Sequence, residues 1–173
     1  MRSMPDADRV SITVADEAGL APIASALVAS LPPQACIALH GDLGAGKTTF
    51  VKAIAAAAGI DPTDVVSPTF GLIHEHRSAG PGKPVNLVHA DLYRLTGPEE
   101  LCETGWDDAT AARPDARTWT FVEWPERIAS LLPADRLDLV IEIVSETGRT
   151  LAFTSRGAAH APVVSALRRH DAG

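Results

Sequence analysis

Residues 39–50 read LHGDLGAGKTTF, and the reading of this stretch decides the fold. Gly41, Gly46, Lys47 and Thr48 match the spacing G-x-x-x-x-G-K-[ST] of a phosphate-binding loop. Glycines let the backbone wrap until successive N–H groups converge on phosphate oxygens, with no Cβ in the way. A following helix aims its positive N-terminal end at the same anion. Lys47 supplies charge for the β- and γ-phosphates, and the Thr48 hydroxyl stands where it can ligate Mg²⁺. The neighbouring sequence supplies what this mechanism needs. ACIALH (35–40) is a short apolar run that predicts a buried parallel strand. Residues 48–58 predict a helix with Val51, Ile54, Ala55 and Ala58 on one face and Gly59 as its stop.

Outward from the loop, strands and helices alternate. VSITV predicts a strand, and DEAGLAPIASALVASL a helix opened near Asp16 and closed before Pro32 and Pro33. TFGLIHEH and VNLVHADL predict strands joined by the exposed loop RSAGPGKP (77–84). GPEELCETGWDDAT predicts a helix with Pro98 in its first turn, TWTFVEW a strand and PERIASLL a short helix. LDLVIEIVS and RTLAFTS predict a hairpin about the turn ETG. The expected fold class is therefore α/β, a three-layer phosphate-loop NTPase fold with a mixed, mostly parallel sheet and a C-terminal antiparallel hairpin. Residues 1–157 read as a single ATPase domain and residues 158–173 as a tail, either a short amphipathic helix or disordered.

Composition narrows the function. The 173 residues fit one compact domain, and 46% apolar with 21% charged residues is ordinary for a chain that buries a core. The net charge of −7 gives no general attraction to polyanions, which argues against free-standing DNA or RNA binding and against membrane-surface binding. Two cysteines do not make a disulfide framework, and no signal peptide or membrane-length apolar run stands out, so a reducing, cytoplasmic setting is expected.

A phosphate loop works with an acid at the end of a neighbouring strand, which holds Mg²⁺ or orients a water. Asp91, ending VNLVHAD, and Glu123, ending TWTFVE, both qualify, and for either alone strand-end solvation is an equally good reading. Thr69 in VVSPTF reads by pattern as a turn residue after Pro68. His89, Tyr93, Arg94 and Trp124 have modest standing alone, and a Trp beside a strand-end acid is more often packed than catalytic. The N-K-x-D segment of a GTPase and the S-G-G-Q segment of an ABC ATPase do not occur. A small nucleoside or nucleotide kinase, with Arg113 and Arg117 as an improvised lid, and a non-hydrolysing ATP-dependent assembly switch remain as alternatives.

GDLGAGKTTF, SPTF, HADLYRL, PEEL, TGWDD and FVEWPER, in this order and spacing from about Asp16 to about Phe153, resemble the TsaE (YjeE) family. These are small bacterial ATPases required for threonylcarbamoyl modification of the adenosine beside the anticodon in certain tRNAs. The resemblance implies that Gly41, Gly44, Ala45, Gly46, Lys47, Thr48 and Thr49 bind the phosphates of ATP. It implies Thr48 and Glu123 as Mg²⁺ ligands, with Asp91 close to the metal and γ-phosphate as a further acid or water-orienting group. Lys47, Asp91 and Glu123 are thus the expected catalytic residues. Thr69 would lie in a switch-like segment, Trp124 at the nucleotide and Glu17 on its base side. The implied partners are TsaD- and TsaB-type proteins, with tRNA reached only through that complex and ATP turnover resetting or regulating it. Ala90 and Gly71 depart from the family's usual bulky and hydroxyl residues, and the 77–84 loop looks enlarged.

Overall fold

The computed structural model of the chain describes residues 6–66 and 72–173. Seven strands form one sheet in the order β1-β7-β6-β2-β5-β4-β3. They are β1 (Arg9–Val14), β2 (Gln34–His40), β3 (Ile73–Arg77), β4 (Val85–Asp91), β5 (Arg117–Glu123), β6 (Leu137–Ile143) and β7 (Arg149–Ser155). The central strands β6, β2, β5 and β4 run parallel, while β1–β7, β6–β7 and β3–β4 pair antiparallel. The sheet is therefore mixed, with its parallel part in the middle, and β6–β7 is the hairpin expected from LDLVIEIVS and RTLAFTS. Burial follows from this layout. Central β2 and β5 are buried along nearly their whole length, whereas edge strand β1 alternates exposed and buried residues.

Helices α1 (Leu20–Ser30), α2 (Lys47–Ala57) and α4 (Ala161–Asp171) pack on one face over Leu27, Ile37, Phe50, Ile54, Trp119, Phe121 and Phe153. The opposite face is covered by the short helix α3 (Trp106–Thr110) and the 3₁₀ segments Pro98–Thr104 and Pro125–Leu131, over Ala90, Leu92, Val122 and Ile128. Three layers result. The single helix expected over GPEELCETGWDDAT is broken at Gly105, whose left-handed φ of +78° separates the 3₁₀ turns from α3. PERIASLL is likewise 3₁₀, interrupted at Ile128 (φ −131°, ψ 32°). Cys36 is buried and Cys102 exposed, both as free thiols, and burial pushes the Cys36 thiol up to about 12.

Residues 161–171 form a helix that buries Val163, Val164 and Leu167 against α1, β1 and β7. Just before it, His160 Nδ1 donates to Asp135 Oδ1 (2.6 Å), and its Nε2 accepts from the Cys36 amide (3.4 Å). This segment closes the same core as the rest of the sheet face. Leu167→Ala, at a fully buried position, should lower unfolding stability by about 2–4 kcal/mol in urea titration, whereas a helix lying loosely on the surface would lose under about 0.5 kcal/mol.

Candidate nucleotide site

Parallel pairing brings the C-terminal ends of β2, β5 and β4 to one edge of the sheet, the place where open α/β sheets bind ligands. Register sharpens this. Leu39, Glu123 and Asp91 lie in one row across the three strands, because Leu39 pairs with Glu123 and Glu123 with Asp91. The glycine loop leaves β2 directly above that row and enters α2 at Lys47.

Two glycines are required by geometry. Gly46 caps α2 at φ +104°, a left-handed conformation that other residues adopt only with strain. A Cβ on Gly41 would lie 2.8 Å from the Ile141 carbonyl oxygen, so a side chain there would push the loop off β6. The first bond of α2 runs from the Phe50 amide to the Gly46 carbonyl (2.9 Å). The amides of Lys47, Thr48 and Thr49 therefore have no carbonyl to meet inside the helix. Lys47 is nearly buried, and its ammonium donates to the carbonyls of Gly41 (2.5 Å) and Asp42 (3.1 Å) and stands 4.2 Å from the Trp124 ring centroid.

Beneath the loop, the Thr48 hydroxyl donates to the Glu123 carboxylate, 3.0 Å from Oε2 and 3.3 Å from Oε1. Glu123 is 3% exposed, and the fully buried His89 contacts its Oε2 through Nε2 at 2.5 Å. Nδ1 of His89 is buried with no partner, so the contact with Glu123 through Nε2 is the one that holds the ring. Asp91 is half-buried at the end of β4, and its Oδ1 accepts from the Tyr93 amide (3.1 Å). Trp124, immediately after Glu123, is the one non-glycine among the described residues with positive φ (59°), and its ring packs 5.0 Å from that of Tyr93. Such a conformation for a bulky residue costs of order 1–3 kcal/mol and is held by its surroundings. Here the ring is pinned between Tyr93 and Lys47.

On the other side of the loop is a cleft of about 350 Å³, with Glu17, Leu20, Phe50 and Arg149 among the residues that line it together with Gly44–Gly46 and Thr49. The structure thus brings Glu17, the loop, Thr48, Thr49, Glu123, Asp91 and Trp124 to one edge of the sheet. Thr69 lies outside the described residues. Sequence reasoning gave His89 only modest standing and missed Arg149. His89 had a signal, since two-residue alternation in VHAD puts it on the face that carries Asp91. Arg149 had none, because its contact with the loop spans 104 residues.

The donor set fits a nucleotide with a hard divalent cation. A hydroxyl and a carboxylate lie within hydrogen-bonding distance at a helix N-terminus. Mg²⁺ prefers such a site, taking one or two protein ligands and completing its shell with phosphate and water.

This geometry defines a protein of the phosphate-loop nucleotide-binding fold. Comparison with known proteins carries the assignment further. The family model for the threonylcarbamoyl adenosine biosynthesis protein TsaE matches residues 14–151. The TsaE protein of Bacillus subtilis is 35% identical over 150 residues, covering 86% of this chain and 87% of that protein. The TsaE proteins of Rickettsia bellii (33% over 132 residues, 76% of this chain and 85% of that one) and Mycobacterium tuberculosis (38% over 124 residues, 70% and 71%) are also similar. The crystal structure of Bacillus subtilis YdiB superposes with a TM-score of 0.69 at 29% identity, covering 94% of this chain and 96% of that one. The chain belongs to the TsaE family.

Behind the loop, Asp138 on β6 accepts from Arg136 Nε (2.8 Å) and Arg156 Nε (2.7 Å), with His40 Nε2 3.9 Å away. Burial by itself would raise the pKa of this carboxyl. The surrounding His40, Arg156 and Arg136 outweigh burial and hold it well below the usual range. A folded-state pKa below that of the unfolded chain (about 3.9) stabilises the fold at neutral pH, and the contribution is lost as pH falls below about 4. In denaturant titrations from pH 7 to pH 3, Asp138→Asn should be less stable than the native chain at pH 7, and the difference should begin to narrow below about pH 4 without closing by pH 3. Stability curves that stay parallel would refute this assignment.

Proposed function

We propose that this protein binds ATP with Mg²⁺, hydrolyses it slowly on its own, and serves in biosynthesis of threonylcarbamoyladenosine in tRNA. The observation that carries the reading is the Thr48–Glu123 pair beneath a phosphate loop, in a chain of the TsaE family. The loop amides, the α2 N-terminus and Lys47 would hold the phosphates. Thr48 and Glu123 would hold the cation, which supplies charge neutralisation at the bridging phosphate oxygens. Asp91, level with Glu123 on the next strand, is offered as a further ligand or as the group that orients the attacking water. His89 keeps the buried Glu123 carboxylate aligned with Thr48. The cleft beside Glu17 would take the base and ribose.

Partners of TsaD and TsaB type, in the cytoplasm, are the proposed setting, with ATP turnover resetting or regulating that complex. The net charge of −7 supports an indirect route to tRNA, since a free-standing acidic chain gains no phosphate attraction. No helix among the described residues is long and apolar enough to cross a membrane.

ATP hydrolysis measured with and without TsaD- and TsaB-type partners and tRNA tests the reading. Turnover should rise in the full mixture. Strong stimulation by nucleosides or small alcohols would identify a kinase instead, and ATP-dependent assembly without any turnover would identify a switch. Lys47→Ala should weaken ATP binding by at least about tenfold, since hydrogen bonds to a charged group contribute roughly 1.5–3 kcal/mol. Glu123→Ala should act on Mg²⁺-dependent affinity, and Asp91→Ala on turnover more than affinity. The opposite pattern would exchange the roles of the two acids.

A further inference from the structure

Arg149 opens β7 at the far end of the terminal hairpin, and its guanidinium joins that hairpin to the phosphate loop. Nη1 donates to the carbonyls of Gly148 (2.8 Å), Ser145 (3.1 Å) and Glu146 (3.4 Å), all in the β6–β7 turn. Nε donates to the Ala45 carbonyl (2.9 Å), and Nη2 reaches the Gly44 carbonyl (3.4 Å). One arm of the planar fork thus gathers the turn and the other gathers the loop.

Gly44 (φ +81°) and Gly46 (φ +104°) flank Ala45. The Gly44–Ala45 plane is already held by the Ala45 amide, which donates to the Asp42 carbonyl (3.0 Å), so the Ala45–Gly46 plane is the one whose orientation Arg149 sets through the Ala45 carbonyl. In a trans peptide the C=O and N–H point in opposite directions. Turning the Ala45 carbonyl out toward Arg149 therefore turns the Gly46 N–H away from it and into the loop.

We propose that Arg149 is a positioning residue for the polyphosphate, a clasp that sets the orientation of the loop peptides before ligand arrives and ties that orientation to the β6–β7 turn. The proposal rests on the nucleotide-binding reading above. A preformed cradle binds more tightly because the ordering cost of the loop is already met in the free protein. The clasp acts through backbone geometry, so lysine, which keeps the charge but has no rigid fork, cannot replace arginine.

The test measures binding of ATP, inorganic tripolyphosphate and adenosine by calorimetry, with and without Mg²⁺, alongside Tm. Arg149→Lys should bind ATP and tripolyphosphate at least tenfold more weakly, equally so in the presence and absence of Mg²⁺, with a much smaller loss for adenosine. A residue serving stability alone would lower Tm and leave these affinities intact well below Tm. Should Arg149→Lys not fold, Gly148→Ala decides. A Cβ there would meet Ser145 Oγ at 2.6 Å and Val144 Cγ2 at 3.1 Å, shifting the turn whose Gly148 carbonyl accepts from the guanidinium (2.8 Å). It should lose polyphosphate affinity by several-fold. Native affinity for tripolyphosphate in either folded variant overturns the clasp alone. A native chain that bound neither ATP nor tripolyphosphate would overturn the clasp and the nucleotide reading together.

Discussion

The parallel pairing of β2 with β5 and of β5 with β4 is the constraint on which the rest of the molecule depends. It stacks Leu39, Glu123 and Asp91 in one row, so the glycine loop, the buried acid and the second acid emerge at the same edge of the sheet. Antiparallel pairing of any of these strands would send one of them to the opposite end. Both faces of this central ladder are covered, which is why its strands read as continuous apolar runs and the edge strand β1 alternates.

The charged groups at the site are each met by named partners, while Nδ1 of the buried His89 has none. Glu123 receives the Thr48 hydroxyl and the His89 imidazole, Lys47 receives two loop carbonyls and the face of Trp124, and Arg149 collects carbonyls from two elements. These contacts rigidify an otherwise glycine-rich segment. The strained backbone of Trp124 fits the same picture, because the conformation that costs energy is the one that lays its ring beside Lys47 and Tyr93.

Much of the fold could be read directly from the chain. The apolar run before the loop, the helix after it and the terminal hairpin all appear as expected, since each is a local pattern of period 2 or 3.6 or a turn signal. GPEELCETGWDDAT was less legible, because the left-handed Gly105 sits within an otherwise helical composition and divides it. Residues 161–171 were open between helix and disorder. Their amphipathic pattern resolves only once α1, β1 and β7 offer a surface on which Val163, Val164 and Leu167 can be buried.

By itself the sequence determined the phosphate loop, because its chemistry lies within a few consecutive residues whose spacing alone places glycine, lysine and threonine. It also narrowed the strand-end acids to Asp91 and Glu123. Only the tertiary structure decided that Glu123 meets the Thr48 hydroxyl, 75 residues away in the chain, that His89 holds that carboxylate, and that Arg149 reaches the loop from the last hairpin. Those contacts depend on strand order and register, which are settled by how the whole sheet buries its apolar faces and not by any local run of residues.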